Sequence, residues 1–270
     1  LRRVSGERFW RAKFIGAGVE LPLPQGFLPL YFSASPIVVP HPRQPVLFGL
    51  YRDPSDNLNR PSRFDAGGLA VWSPCGVGQY YVSFDVSSDG RELFATCSFG
   101  SASSPAVVVI DTATGNVVRR LPLGPDILGT VALGPGDAQF LVVRTGGLTQ
   151  TLLRVDAVSG AVLQALDIPN SVGDGLEIVA NPRRRDVPVL VKCAQGGACE
   201  TRGMHFGTLA AMPVISLSSR PTALSFSADG NQVVIGGEAA VARAELATGS
   251  ILNFAAAPSN GFIVAAWGAE

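Results

Sequence analysis

Four cysteines carry the most distinctive side-chain chemistry in this sequence. Cys193 and Cys199 enclose a loop with two adjacent glycines, and such a loop lets the chain reverse closely enough for a disulfide bond. Cys75 is then free to pair with Cys97. An even number of cysteines in pairable positions favours an oxidising compartment over four free buried thiols. Zinc binding is the alternative, but neither pair has close ligand spacing, and His205 lies on another segment.

The two histidines offer little for catalysis. His41 lies in a Pro-His-Pro turn at residues 40–42, and His205 lies in a weak third strand predicted over residues 201–206. We expect them to be far apart, whereas a Ser-His-Asp site needs its base within hydrogen-bond reach of the nucleophile. Calcium-loop, phosphate-loop and dinucleotide-binding patterns are also absent from the sequence. The sequence therefore predicts a protein that is not an enzyme and that carries no cofactor and no metal.

The composition of the 270 residues argues against several classes of protein. Basic and acidic residues balance at 21 each and charged residues make up 16%, so the sequence lacks the basic excess of nucleic-acid binders. The basic cluster at residues 183–185 falls in a strand-to-strand turn, where we expect solvation rather than phosphate contact. Apolar runs are too short for a membrane-spanning helix. The chain begins at Leu1 without Met or a signal core, and we expect a mature product or an excised domain.

A repeated element must position these residues. A four-strand cassette recurs about every 47 residues, and its first tight turn falls near Pro42, Asp89, Gly136, Arg183 and Asp229. Repeats of about 40 to 50 residues that are rich in short strands and lack a helical pattern are typical of β-propeller blades. The sequence predicts an all-β fold, a β-propeller of four-stranded antiparallel blades.

The clearest cassette has strands at 80–86, 92–97, 106–111 and 117–123, with glycine-containing turns after the first and third. Extending this pattern predicts a single domain over residues 1–270. It consists of a partial blade at 1–25, blades at 26–75, 76–124, 125–170, 171–215 and 216–258, and a closing strand at 259–270. The partial blade and the closing strand together predict a sixth, composite blade, which would hide two open strand edges. Seven blades are the alternative.

Two segments carry a family resemblance. The run Ser-Phe-Ser-Ala-Asp-Gly at 225–230 is followed by a Val-rich strand and by Ala-Thr-Gly at 247–249, and a similar third strand and turn occur at 108–115. These segments resemble the YVTN-type (WD40-like) β-propeller repeats of bacterial surface and periplasmic proteins. The resemblance covers the middle of the chain better than its ends, and the Gly-His and Trp-Asp signatures of WD40 blades are absent. It implies a repeat fold used for binding and display, and it supplies no catalytic residue.

Propeller topology assigns the cysteines and a set of polar residues to one face. Loops between second and third strands lie on the same face as the connections between blades, and all four cysteines fall in or beside such segments. Residues that lead into the innermost strands ring the central channel there. This predicted collar consists of Gln79, Tyr80, Asp126, Asp174, Arg220 and Asn260. Together with the long loop at 52–60, it is the predicted binding surface for a peptide, glycan or protein.

The sequence thus predicts a non-catalytic interaction module of a periplasmic or extracellular protein, which binds a protein or polysaccharide partner and no nucleic acid. A propeller enzyme is one alternative, either a lactonase-like hydrolase or a quinone-dependent dehydrogenase. Such a site needs carboxylates that converge on a metal, or a cofactor stacked on aromatics, and the collar offers Asp126 and Asp174 alone. An intracellular scaffold subunit of a multiprotein assembly is the other alternative, and free thiols would distinguish it. The oligomeric state stays open.

Overall fold

The computed structural model describes residues 2–3, 10–14, 19–22, 38–53, 55, 58–75, 80–98, 105–146, 149–169, 175–194, 199–217, 221–237 and 240–256. Within these ranges the chain is built from β-strands, with a short 3-10 helix at Pro135–Asp137. The strands are β1 Arg2–Arg3, β2 Trp10–Phe14, β3 Val19–Pro22, β4 Val38–Pro40, β5 Leu47–Arg52, β6 Asn59–Asp65, β7 Gly68–Val71, β8 Tyr80–Val86, β9 Glu92–Ser98, β10 Ala106–Asp111, β11 Val117–Pro122, β12 Ile127–Leu133, β13 Gln139–Gly146, β14 Thr149–Asp156, β15 Val162–Pro169, β16 Gly175–Val179, β17 Val189–Cys193, β18 Cys199–Gly203, β19 Ile215–Leu217, β20 Pro221–Phe226, β21 Gln232–Gly237, β22 Ala240–Glu245 and β23 Ile251–Ala256.

Twenty of these strands form five four-stranded antiparallel sheets in the described part of the chain. We call them blade 1 (β4–β7), blade 2 (β8–β11), blade 3 (β12–β15), blade 4 (β16–β19) and blade 5 (β20–β23). Each strand pairs with the next one along the chain, as the cassette predicts. In blade 2, for example, Val108 of β10 lies opposite Ala95 of β9 and Arg120 of β11.

The prediction of six blades is wrong, and so is the alternative of seven, because the described residues form five four-stranded blades. In the described part of the chain, β1, β2 and β3 form a sheet of three strands rather than four. β2 pairs with β3 along one edge and with Arg2–Arg3 along the other, so both of its hydrogen-bonding edges are filled by the N-terminal segment itself. The predicted closing strand at 259–270 lies outside the described residues.

The chain divides into two compact units. The first contains the three-stranded sheet and blades 1 and 2, and it spans residues 1–30 and 37–124. The second contains blades 3, 4 and 5, and it spans residues 31–36 and 125–270. The single-domain organisation read from the sequence stays a prediction.

Within each unit, consecutive blades pack face to face. The core between blades 1 and 2 joins Phe48 and Trp72 to Phe84, whereas the core between blades 3 and 4 joins Leu141 to Ile178. A third core joins blades 4 and 5. Inner strands are therefore covered on both faces: every residue of β10 except its last is buried, although antiparallel strands usually alternate. Outer strands such as β11 expose most of their side chains.

The first turns of neighbouring blades also contact each other. Arg185 of blade 4 pairs with Asp137 of blade 3 at 2.7 Å, from Nη1 to Oδ1. Arg184 Nη1 donates to Asn231 Oδ1 of blade 5 at 2.8 Å, and Asn181 Nδ2 donates to the Gly230 carbonyl at 2.8 Å. The basic cluster at 183–185 lies in a turn as predicted. Its arginines nevertheless contact the adjacent blades, so solvation alone does not describe them.

Candidate functional site

Most of the predicted collar lies outside the described residues. Gln79, Asp174, Arg220 and Asn260 are not among them, and Tyr80 is described only as the first residue of β8. Asp126 is the collar residue whose side chain can be placed. The collar as a binding surface therefore stays a prediction.

Asp126 lies at the start of β12 and contacts the next strand of its own blade. Its Oδ2 is 3.5 Å from Nε of Arg144 on β13, and its carboxylate covers Gly146, where an added Cβ would lie 2.9 Å from the Asp126 Cγ. The carboxylate and the guanidinium are each about one third exposed, at 37% and 31%. Asp126 thus joins the ends of β12 and β13 and still presents a charged surface at the end of blade 3.

The predicted binding loop at 52–60 is held by its first acidic residue. Asp53 Oδ1 accepts hydrogen bonds from the Ser55 amide at 2.9 Å and the Ser55 hydroxyl at 2.6 Å. Asp53 also forms an ion pair with Arg60 at the start of β6, and its amide donates to the Leu58 carbonyl at 2.9 Å. The hydrogen bonds from Ser55 hold the pKa of Asp53 below its ordinary value. The carboxylate therefore stays ionised and closes the base of the loop.

Cys75 and Cys97 lie at disulfide distance, as the sequence predicts. Cys75 follows blade 1 in the connection to blade 2, and Cys97 lies near the end of β9, with Cα atoms 5.6 Å apart. Both are buried in the core between the two blades. The pair thus joins the connection between blades 1 and 2 to the end of β9, where the loop between β9 and β10 begins.

Cys193 and Cys199 form the other predicted pair at disulfide distance. They are the last residue of β17 and the first of β18, they lie directly opposite each other in the sheet, and their Cα atoms are 4.1 Å apart. Both are buried. This pair closes the loop between the second and third strands of blade 4, so in each unit a cysteine pair lies at a second-strand end.

His41 has a structural role in the first turn of blade 1. Its Nδ1 accepts hydrogen bonds from the amides of Arg43 at 3.0 Å and Gln44 at 3.1 Å. Burial, followed by the positive charge of Arg63, lowers the pKa of His41 below 6.5. The imidazole is therefore neutral near pH 7, and its proton is on Nε2 because Nδ1 is the acceptor.

His205 lies elsewhere than predicted. β18 ends at Gly203, and Met204 then forms an isolated bridge with Ala211, so the third strand does not continue to 206. His205 is exposed in the turn that follows. Among the described residues, no three His, Cys, Asp or Glu side chains gather as metal ligands would. No helix in the described ranges is long and apolar enough to cross a membrane.

Sequence reasoning missed a cleft of about 410 Å³ in the first unit, between the first turns of blades 1 and 2. Arg43, Arg63 and Arg91 line it, together with Asp89. In blade 2 it lies at the opposite end of β9 from Cys97. The available signal was an arginine in each of these first turns, at positions 43 and 91. The pairing of these turns across two blades is not encoded locally.

No protein-family model matches the chain, and no curated protein matches it in sequence. The similarity to YVTN-type repeats therefore stays a prediction. Two solved structures resemble the fold. Hydrazine synthase of Kuenenia stuttgartiensis aligns with 75% of this chain and 62% of its own chain, with a TM-score of 0.55 and 18% identity. A chain of a mitotic checkpoint complex aligns with 86% of this chain and 65% of its own, with a TM-score of 0.61 and 12% identity.

This chain spans less than two thirds of the length of either structure. At these identities the likeness shows the fold alone. Both are β-propeller structures, and the four-stranded antiparallel meanders described above have the blade topology of that fold. The chain has a β-propeller fold.

Proposed function

We propose that this propeller is a non-catalytic interaction module of an extracytoplasmic protein, and that it binds a partner protein through the loops at its second-strand ends. The observation that supports the proposal is the position of the cysteine pairs. Cys75–Cys97 and Cys193–Cys199 each fasten a segment at a second-strand end. Loops fixed on a rigid scaffold lose less conformational entropy when they bind, which favours affinity.

The cysteine pairing also supports the proposed compartment, because disulfides persist in oxidising compartments such as the periplasm or the extracellular space. The test is to alkylate the denatured chain without a reductant and to measure its intact mass. We expect no alkylated cysteine, and four after reduction. Four alkylated cysteines without a reductant would favour the intracellular scaffold instead.

The binding surface can be tested with two matched arginines in the second unit. Arg144 pairs with Asp126 at the loop end of blade 3. Arg202 pairs with Glu200 in blade 4 and lies toward the opposite end, beside Leu190. Their side chains are similarly exposed, at 31% and 26%, so each alanine variant removes one comparable guanidinium.

The immobilised chain is first screened against panels of secreted proteins and of polysaccharides. The strongest partner is then titrated against both variants. We expect a protein partner whose binding is weakened by Arg144→Ala and retained by Arg202→Ala. The reverse pattern would contradict the assigned face, and a partner found only among the polysaccharides would contradict the assigned class.

A further inference from the structure

The cleft between blades 1 and 2 concentrates positive charge in a chain whose total charge is zero. Three guanidinium groups line it, those of Arg43, Arg63 and Arg91, against the single carboxylate of Asp89. Over the whole sequence, basic and acidic residues balance at 21 each. The cleft is therefore a local positive site with no counterpart in the overall composition.

The three arginines differ in how firmly they are held. Arg63, on β6, donates from Nη2 to Asp65 at 2.7 Å and from Nη1 to the Thr112 carbonyl at 3.4 Å. Its buried Nε has no hydrogen-bond acceptor in the described structure. The contacts fix the Arg63 charge in place beside the cleft, and Asp65 and Thr112 compensate it only in part.

Arg43 and Arg91 supply adjustable charges at the rim. Both are exposed, and the Arg91 side chain is 84% accessible, with its Nε 3.7 Å from Asp89 Oδ2. Asp89 already accepts hydrogen bonds at Oδ1 from the Ser87 hydroxyl and the Arg91 amide. The contact between Arg91 and Asp89 is long and both side chains are exposed, at 84% and 46%, so water screens the ion pair and the guanidinium donors of the rim remain available to a ligand.

We propose that this cleft binds a carboxylate-bearing side chain of a peptide segment, with Arg43 and Arg91 closing on the carboxylate beside the fixed charge of Arg63. Guanidinium groups match carboxylates in geometry and charge. Val46 and Phe48 add an apolar wall that suits the aliphatic stem of a Glu side chain. A volume of about 410 Å³ lies within the usual range of ligand pockets, about 300 to 1,000 Å³. The cleft is separate from the loops at the second-strand ends, through which the proposed function binds its partner.

His41 is a built-in reporter of occupancy. Arg63 and Arg43 lower its pKa and Asp89 raises it, besides the larger lowering by burial. A bound carboxylate offsets the positive charge of the two arginines, so we expect the His41 pKa to rise when the cleft is filled. His205, exposed in the other unit, is an internal control within the same molecule.

The experiment titrates the full chain with a blocked Glu-rich hexapeptide, a Gln-for-Glu hexapeptide and inorganic phosphate, and follows both histidines by NMR. We expect the Glu peptide alone to bind and to raise the His41 pKa, and we expect its addition to leave the NMR signals of His205 unchanged. Arg91→Ala should weaken binding roughly fivefold, because a partly solvated ion pair is lost. Arg120→Ala removes the same charge from β11 of the same blade, outside the cleft, and should leave binding unchanged.

Three results would overturn the proposal. If the Gln peptide binds as tightly as the Glu peptide, the cleft does not recognise a carboxylate. If Arg120→Ala weakens binding as much as Arg91→Ala, the arginines act through general charge attraction rather than through the cleft. Binding of phosphate that displaces the Glu peptide and alone shifts His41 would assign the cleft to phosphate. Arg144, which tests the proposed function, does not line this cleft. The two proposals can therefore fail independently of each other.

Discussion

At the scale of single residues, a serine and an aspartate hold the first turn of blades 2 and 5 in the same way. In blade 5 the Ser227 hydroxyl donates to Asp229 Oδ1 at 2.5 Å, and the Asn231 amide donates to the same oxygen at 3.0 Å. Ser87 and Asp89 repeat this arrangement in blade 2. The residues that carry the sequence resemblance are therefore turn formers. Their contacts span a few positions, which is why the sequence alone predicted these turns.

The pKa of Asp229 tests this network. The hydrogen bond from Ser227, then those from Asn231, lower the pKa of Asp229 from 3.8 to about 2. A carboxyl whose pKa is depressed on folding stabilises the protein above its unfolded pKa and loses that contribution as the pH falls toward 2. In Ser227→Ala we expect the Asp229 pKa, measured by carboxyl NMR titration, to rise toward 3.8 and acid unfolding to begin at a higher pH. An unchanged Asp229 pKa would show that Ser227 does not stabilise the carboxylate.

At the scale of elements, strands and hairpins follow from the sequence, whereas the strand partners at the N-terminal end do not. Alternating turns and apolar runs predicted the five meanders because both signals are local. β1, at Arg2–Arg3, was not predicted because it is two residues long and has no apolar pattern, yet it pairs with β2 and completes a three-stranded sheet. His205 was misplaced because β18 ends at Gly203 and the chain then turns, with Met204 bridged to Ala211.

Glycines in the first turns test how blades pack. Gly90 has φ +79°, and a Cβ there would lie 2.2 Å from His41 Nε2 in the neighbouring blade. Gly136 has φ +67°, and a Cβ there would meet nothing within 4 Å. Both alanine variants incur backbone strain of about 1 kcal/mol, and Gly90→Ala should cost about 1–3 kcal/mol more because the imidazole must move.

Urea unfolding measures both glycine variants, His41→Ala and the double variant of His41→Ala with Gly90→Ala, and the cost of Gly90→Ala without the ring is taken relative to His41→Ala. Removing the ring should bring the penalty at Gly90 down to that at Gly136. Equal costs for the two single variants would mean that the contact between the turns of blades 1 and 2 is not tight.

The two cysteine pairs should differ in what they contribute to stability. A crosslink limits the unfolded chain more when it closes a longer loop, and the pairs enclose separations of 22 and 6 residues. Replacing Cys75 and Cys97 by alanine should cost about 3 kcal/mol, against about 2 kcal/mol for Cys193 and Cys199. Denaturant unfolding of the two double variants gives the comparison. A larger loss from the shorter loop would mean that native packing, rather than loop closure, sets the difference.

At the scale of the whole molecule, a net charge of zero occurs together with apolar side chains exposed on the outer strands. The pI is near 6.9, and the exposed apolar side chains are large. Which apolar residues are exposed depends on the position of each strand in its sheet, so composition could not identify them. The cleft is a similar case, because Arg63 and Arg91 belong to different blades. Their proximity follows from packing rather than from any local motif.

Solubility near pH 7 should therefore depend on the outer strand of blade 5. Residues 251–255 are all exposed, and Phe254 is the most exposed of the large apolar ones in β23, at 61%. An apolar edge strand on a molecule without net charge favours association, and a lysine there opposes it. Phe254→Lys should lower light scattering at pH 6.9 without lowering the Tm. Val158→Lys adds the same charge at a 72% exposed turn position of blade 3, off any edge strand, and should have a smaller effect. If the two variants improve solubility equally, net charge alone controls association, and the exposed edge contributes nothing.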